Sequence, residues 1–445
     1  MRRALPLLLV LMQAVPTVAQ YGNEWIDHTL RYWRFNVFTD GLHRIDSTAL
    51  ANAGFPVASV DPQHIMVFGR EAQVPIYISD GGDGVLNAGD FIEFHAQKND
   101  GWLDRLMYAA PQHQANPYYS LVNDTIRYFI TWSPDAPKQR IVPYVNTAFD
   151  DHVPRTWFWG ETVVSTIQTG NNGYKLGAFD SQSNASSGFY LEAEGRFGGS
   201  LVADNNNPVQ EQTITVNTPR AYTGADAPPA RVQAVSVSVS RSDQDQGQEM
   251  NHHLRVGYGP APGSFVVDTI FQGVRVIRST FEVPASALGA NLPVRYQVRR
   301  DLMDPGGEGY SNPNYVDEQA VSNTVVRYAR DMNLGNPVSV MMWHPAHPDE
   351  PLVRMDFNGI ANTPILYVWG DTLRRIEPTS VGGGFWRALF PAHMGMAETR
   401  AFVQRANAVT QVTALSPAGT NGYFTDMQAV QQDSAMLIVT HASLM

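Results

Sequence analysis

The stretch VQAVSVSVS, residues 232–240, alternates apolar and polar side chains. Val235, Val237 and Val239 point to one face of an extended chain, and the serines between them point to the other. This period of two is typical of an antiparallel strand with one solvated face. Similar strand patterns recur about every ten residues on either side, which predicts antiparallel β-sandwich domains.

The first part of the chain shows the same strand pattern with tight turns. The dipeptide DG at residues 40–41 predicts a hairpin between the first two strands. One short helix is predicted at residues 48–53, with Asp46 or Ser47 as its N-cap and Gly54 at its end. The strands are predicted at residues 30–38, 41–45, 64–68, 74–78, 90–95 and 128–132.

The later part of the chain changes character twice. Residues 134–229 are rich in loop-forming residues, and a second series of strands follows residue 326. The apolar run at residues 435–439 predicts a strand that is buried on both faces, as in a parallel sheet flanked by helices. We therefore expect a mainly β chain of tandem antiparallel β-sandwich-like domains that ends in the first strand of a truncated α/β domain.

This organisation predicts five segments. They are a signal peptide (residues 1–19), an N-terminal β domain (20–145), a β-sandwich region with a loop-rich insert (146–325), a second β-sandwich (326–418), and a linker with the first strand of the truncated domain (419–445). The signal peptide is predicted because Arg2 and Arg3 precede a short apolar stretch, and Thr17-Val18-Ala19 follows as a cleavage site. The protein is therefore expected to be exported.

Composition narrows the classes of function. The formal net charge is −11 without basic clusters, which argues against nucleic acid and against anionic membrane surfaces. No apolar segment has the length of a membrane span. There is no cysteine, so thiolate metal sites and a cysteine nucleophile are excluded within these residues. No serine lies in a nucleophile-elbow pattern either. The chain as given is therefore expected to be inactive.

The loop DGGDGVLNAGD, residues 80–90, is the strongest candidate for a metal site. Asp80, Asp83, Asn87 and Asp90 supply hard oxygen ligands, and the glycines allow the tight backbone wrap that calcium needs. The spacing is not that of an EF-hand. The alternative is a β-hairpin loop in which Asp and Gly serve turn geometry alone.

Two histidine pairs carry weaker signals. His344 and His347 lie near Asp349 and Glu350, but the prolines between them forbid a helix, so a loop between strands is the competing interpretation. His252 and His253 open a strand, where adjacent side chains face opposite ways and cannot easily share a ligand. We assign no role to this second pair.

The order of seven motifs is the most specific feature of the chain. The motifs are YGNEW (21–25), DGLHRID (40–46), AGFP (53–56), VPIYI (74–78), DGVLNAGDFIEF (83–94), NDGWLDRLMY (99–108) and NPYYSLVNDTIRYFITW (116–132). In this order they resemble the region that precedes the catalytic domain in large gingipain-type cysteine peptidases of Bacteroidetes, a group that includes the type IX secretion sortase. The run LIVTHASL, residues 437–444, looks like the first strand of the gingipain catalytic domain.

The resemblance implies that this chain is the non-catalytic N-terminal portion of an exported gingipain-type cysteine endopeptidase, at the outer-membrane surface or in the extracellular space. The type IX sortase, which cleaves C-terminal sorting signals, is one such peptidase. Its partners would be a downstream catalytic domain of the same polypeptide and protein substrates or type IX secretion components. No catalytic residue is carried over, because the family's histidine and cysteine would lie beyond Met445, and His441 does not match them. The alternative is a stand-alone extracellular β-sandwich binding module on the cell surface.

Overall fold

The computed structural model describes residues 23–167, 179–180, 185–186, 189–238, 250–260, 264–302, 316–347, 349–419 and 421–426. The predicted signal peptide and the predicted strand at residues 435–439 lie outside these ranges. The predicted fold class, mainly β with tandem antiparallel β-sandwich-like domains, is confirmed.

The described elements are short strands joined by turns. One α-helix, α1, spans Ser47–Asn52. The 3₁₀ turns are Pro62–His64, Asp104–Met107, Pro111–His113, Phe149–Asp151, Ala285–Ala287 and Ala406–Ala408. The strands are β1 Trp33–Val37, β2 Gly41–Asp46, β3 Ile65–Gly69, β4 Ala72–Val74, β5 Tyr77–Ser79, β6 Phe91–Ala96, β7 Ile126–Trp132, β8 Val142–Pro143, β9 Trp157–Ser165, β10 Phe179–Asp180, β11 Ala185–Ser186, β12 Ser200–Ala203, β13 Val209–Asn217, β14 Ala230–Ser238, β15 His252–Tyr258, β16 Ser264–Phe271, β17 Val276–Val283, β18 Asn291–Arg299, β19 Asp317–Asp331, β20 Ser339–Pro345, β21 Leu352–Phe357, β22 Pro364–Trp369, β23 Arg374–Ile376, β24 Thr379–Gly382, β25 Phe385–Pro391, β26 Glu398–Arg405, β27 Thr410–Gln411 and β28 Ser416–Pro417.

Two facing sheets form what we call the N-terminal body. Their strand orders are β28-β1-β7-β3-β4 and β27-β2-β6-β5. Trp33, Ile45, Phe94 and Ile130 are fully buried between them. The short strands β27 and β28 come from the far end of the described chain, so residues more than 360 positions apart share one sheet, as the pair Trp33 and Pro417 shows. The N-terminal body is therefore complete only when residues 410–417 pair with strands near the start of the described chain.

A ten-stranded sheet runs through the rest of the molecule, in the order β17-β14-β19-β9-β20-β26-β22-β23-β8, with β12 paired to β19. Strands β9 and β20 pair only at Trp159 and Trp343, so the sheet has two halves. The half from β17 to β9 packs on the sheet β13-β18-β15-β16 and forms the first sandwich. The half from β20 to β8 packs on β21-β25-β24 and forms the second sandwich. The predicted boundary at 325/326 falls inside β19.

The N-terminal body lies against the second sandwich. Along β6, Ile92 and Phe94 point into the body, while Glu93 and His95 point the other way, because successive side chains of a strand alternate. The His95 ring meets Phe402 edge to face, with 4.8 Å between ring centroids. The sheet of β2 and β6 is consequently a middle layer, covered on both faces.

Two local predictions were wrong. Strands β1 and β2 do not form a hairpin, because β1 pairs with β7 and β28 and β2 pairs with β6 and β27. Gly41 has φ +126°, a conformation that L side chains rarely adopt, and lets the chain pass from one sheet to the other. The serine face of β14 is not solvated, since Ser236 and Ser238 are buried. The valine face is covered as well, by Ala115, Ala193 and Phe197.

Candidate functional site

The loop at residues 80–90 has the geometry of a turn held by its own side chains. Asp80 Oδ1 accepts from the backbone of Gly82 (3.1 Å), and Asp83 Oδ1 accepts from that of Val85 (3.0 Å). Asp83 Oδ2 also accepts from the Asn87 side-chain amide (2.7 Å), and Asp90 Oδ2 accepts from the Asn87 backbone (2.6 Å). Hydrogen bonds of this Asx type are typical of turns, and they agree with the hairpin-loop interpretation.

The structure brings Asp83, Asn87 and Asp90 into contact and leaves Asp80 bonded to its own turn. Within the described residues, no group of three or more His, Asp or Glu side chains is arranged to hold a metal ion. Calcium at Asp80, Asp83, Asn87 and Asp90 therefore stays a prediction.

His344 lies in β20 and not in a loop. Its ring is fully buried, with Phe390 and Phe158 beside it at 5.6 and 6.1 Å between ring centroids. Neither ring nitrogen has a hydrogen-bond partner among the described residues. Burial, helped by the charge of Arg155, lowers the pKa of His344 from 6.5 to about 3. The ring is therefore neutral at physiological pH.

One of the two carboxylates near His344 has another partner. Glu350 forms an ion pair with Arg155 at 2.9 Å.

The histidine pair His252 and His253 behaves as strand geometry requires, with its two rings bound to different carboxylates. His252 Nδ1 lies 2.7 Å from Asp317, whereas the His253 ring bridges two aspartates at 2.6 and 2.7 Å, which are Asp301 and Asp268. The sequence offered no signal for these acidic partners, because they come from three other strands and loops.

A buried carboxylate joins the N-terminal body to the second sandwich. Glu93 of β6 is fully buried and lies 2.5 Å from Arg44 and 2.9 Å from Arg375. Tyr367 donates its hydroxyl to Glu93 Oε1 at 2.8 Å. Burial and the Glu93 carboxylate together raise the pKa of Tyr367. Burial alone would lower the pKa of Arg375, but Glu93, Glu377 and Tyr367 together more than offset it, so the pKa is raised. The junction is a charged network in which Glu93 accepts hydrogen bonds from residues 49, 274 and 282 positions away in the sequence.

A cleft of about 440 Å³ lies beside this junction, between the β3–β4 turn and the second sandwich. We call it the junction cleft. Trp102 forms one wall and carries the guanidinium groups of Arg70 and Arg105 over its ring, at 5.1 and 5.0 Å from the centroid. Trp369 lies across the cleft, with Arg400 stacked on it at 4.4 Å. The lining comes from five separate segments of the chain, so no local sequence motif marks it.

The polar groups of the junction cleft differ in how well they are paired. Arg70 holds Asp100 through two hydrogen bonds, at 3.0 and 3.1 Å. Arg400 donates from Nε to the Met341 sulfur at 3.2 Å, and no described carboxylate forms an ion pair with it. Burial, then the charge of Arg400 and the neighbouring His43, lowers the pKa of His95 to about 3. The cleft therefore contains a neutral histidine and an arginine without a counter-ion.

A second groove, of about 530 Å³, lies on the first half of the ten-stranded sheet. Arg327 lies between Trp159 and Trp343, at 5.6 and 5.2 Å from their ring centroids, and Arg231 stacks on the same Trp159 at 5.5 Å. Glu398 pairs with Arg327. Burial raises the pKa of Glu161, which also lines the groove, although the charge of Arg327 opposes this. The stacked side chains of Arg231, Trp159, Arg327 and Trp343 therefore connect neighbouring strands of the sheet.

None of the helices in the described part of the chain has the length and apolar character that crossing a bilayer requires. No family model matches the sequence. No curated protein matches it either.

Among solved structures, the chain is similar to the crystal structure of dimeric latent PorU from Porphyromonas gingivalis, with 11% sequence identity and a TM-score of 0.49. The alignment covers 88% of this chain and 33% of the PorU chain, so this chain spans about a third of that protein's length. A weaker similarity, with 10% identity and a TM-score of 0.20, links it to the structure of infectious bursal disease virus Gx strain and covers 88% of this chain and 86% of the viral one. Both likenesses are too distant to establish a shared activity.

Proposed function

We propose that this chain is the non-catalytic N-terminal portion of an exported gingipain-type cysteine endopeptidase, of the kind that includes the type IX secretion sortase. The observation that carries the proposal is the order of the seven motifs between residues 21 and 132. It is supported by the place of those motifs in the fold. DGLHRID contains β2, DGVLNAGDFIEF runs into β6, and the last motif ends in β7, so the motifs supply the central strands of the N-terminal body.

The role we propose is to fold beside a catalytic domain of the same polypeptide and to shape the access of protein substrates. The Glu93 network supports this role, because it holds the N-terminal body and the second sandwich as one platform. Type IX secretion components are the other partners we propose. The site of action would be the outer-membrane surface or the extracellular space, with neither nucleic acid nor a membrane span involved.

The proposal is tested on the native product in the organism that encodes this sequence. An antibody against residues 23–167 is used to isolate the protein from the cell envelope and the medium. We expect a product larger than the 49.2 kDa of this chain, with peptidase activity that iodoacetamide abolishes. The purified chain alone serves as the matched control and should show no turnover. A native product of about the mass of this chain, without thiol-dependent activity, would contradict the proposal.

That contradicting result would favour the second candidate, a stand-alone extracellular binding module. The observation in its favour is the groove on the first half of the ten-stranded sheet, where Arg231 and Arg327 flank Trp159. Aromatic and arginine side chains are enriched at the centres of binding surfaces. The discriminating measurement is the mass of the native product.

A further inference from the structure

We propose that the junction cleft binds a small monocarboxylic acid whose body is apolar or aromatic, with Arg400 as the partner of the carboxylate. The cleft volume of about 440 Å³ lies in the range of small-molecule sites. The inference concerns a binding site and does not depend on the function proposed above.

The charge of Arg400 is the first argument. Arg70, which also lines the cleft, has a carboxylate partner in Asp100, and Arg375 of the junction has one in Glu93. The Arg400 guanidinium donates to the Met341 sulfur and stacks on the Trp369 ring, and no carboxylate within the described residues forms an ion pair with it. A guanidinium stays protonated even where burial lowers its pKa. A partly buried cation without a counter-ion is unfavourable, and a bound anion relieves that cost.

The neighbouring polar groups favour one negative charge and not two. Arg70 is neutralised by Asp100, and the neutral His95 ring adds no positive charge. The side-chain amide nitrogen of Gln73, which also lines the cleft, is buried without a hydrogen-bond partner among the described residues. The Arg400 guanidinium matches a carboxylate, whose two oxygens accept side by side, and the Gln73 amide is a second donor in the same lining. A phosphate dianion would leave one charge uncompensated.

The walls of the cleft define the rest of the ligand. Trp102 and Trp369 contribute aromatic rings, each with arginine stacked on it, and the other apolar or aromatic lining comes from Ala72, Val74, Pro75, Tyr128 and Leu373. Such surfaces favour a ring or a short alkyl group, because its burial removes apolar area from water. A free sugar or a charged peptide side chain would bury polar groups against these walls. The structure therefore favours an aryl-alkyl acid over a purely polar one.

The test uses the full chain and three probes that share one aromatic body. They are 3-phenylpropionate, its uncharged amide, and the dianionic phenethylphosphonate, each titrated by calorimetry at neutral pH and low salt. We expect the acid to bind at least roughly tenfold more tightly than the amide or the phosphonate, which corresponds to about 1.4 kcal/mol. Equal affinity for the acid and the amide, or no detectable binding of the acid, would overturn the proposal.

Two variants locate the site. Arg400→Gln should weaken binding of 3-phenylpropionate by roughly tenfold or more, and Gln73→Leu should weaken it by a smaller factor. Arg374→Gln is the matched control, because it removes the same charge from a residue outside the cleft lining, and it should bind as the parent chain does. Melting curves show whether each variant is folded. If Arg400→Gln is unfolded, Gln73→Leu decides, and unchanged binding by it would then contradict the proposal.

Discussion

His344 shows how the surroundings of one residue set its chemistry. As a sequence feature it resembled a metal ligand, but in the fold it is a neutral ring among aromatic side chains of the second sandwich core. Both ring nitrogens lack partners among the described residues, so protonation would place an unpaired charge in an apolar core. The depressed pKa expresses that cost.

This depressed pKa predicts acid sensitivity. Between pH 6.5 and about 3 the unfolded chain binds a proton at His344 that the folded chain does not, so stability falls as the pH falls through this window. The slope from one such group approaches about 1.4 kcal/mol per pH unit. His344→Leu should flatten the decline. The measurement is the urea midpoint at several pH values for both proteins, and identical slopes would contradict the prediction.

The loop at residues 80–90 carries the calcium prediction. If Asp80, Asp83, Asn87 and Asp90 bind calcium, the ion stabilises the folded state, by about 2.7 kcal/mol at a concentration one hundred times the dissociation constant. Added calcium should then raise the melting temperature of the parent chain. The rise should disappear in Asp83→Asn and persist in Asp135→Asn, an exposed aspartate of another loop. A melting curve that does not respond to millimolar calcium would restore the turn interpretation.

At the scale of elements, Gly257 decides whether β15 and β16 can pair closely. A register shift lies between Val256 and Gly257, where the two strands approach each other. A Cβ on Gly257 would lie 2.0 Å from the Ser264 carbonyl oxygen and 2.8 Å from the Phe265 Cα, both of them backbone atoms of the facing strand. Backbone cannot move aside as a side chain can.

We therefore expect Gly257→Ala to lower the free energy of unfolding by about 2 kcal/mol or more, because the facing strand must separate. Gly289→Ala is the control. A Cβ on Gly289 would come no nearer than 3.9 Å to the Asn291 carbonyl oxygen, so this change should be neutral or slightly stabilising. Denaturant unfolding of both variants measures this. Equal stability of the two variants would show that β15 and β16 can accommodate the extra methyl group, against the prediction.

Individual elements were predictable where the local pattern agreed with the fold. The helix predicted at 48–53 appears as α1 at Ser47–Asn52, and Asp46 caps it by accepting from the Ala49 backbone at 2.6 Å. The central strand β9, Trp157–Ser165, was missed inside the stretch assigned to loops. Its Gly160 weakens the strand signal, and a Cβ there would lie 2.2 Å from the Arg330 side chain, which would have to shift.

At the scale of the whole molecule, Glu93 holds two cores together. Its carboxylate is shared by Arg44 from the N-terminal body and by Arg375 and Tyr367 from the second sandwich. Removal of one partner from a buried charged network leaves the other charges uncompensated, which costs more than the network itself contributes. The junction is therefore sensitive to a single change of charge.

Glu93→Gln is expected to destabilise the folded chain by about 3 kcal/mol, because two arginines lose their counter-ion. The matched control is Glu377→Gln, which removes an exposed carboxylate from the same Arg375 and should change stability by about 0.5 kcal/mol or less. Denaturant unfolding monitored by tryptophan fluorescence measures both. If Glu93→Gln lowers the free energy of unfolding no more than the control does, the network contributes little to stability.

The sequence by itself determined the fold class, the capped helix and most strands of the N-terminal body, because these depend on side-chain period and turn chemistry within a few residues. It also located the loop at residues 80–90. Only the tertiary structure decided which strands pair, as with β1 and β28, and which polar residues meet. The Glu93 network and the junction cleft draw on segments hundreds of residues apart, such as His95 and Arg400. Their chemistry arises from burial and long-range contact, which leave no period or spacing in the sequence.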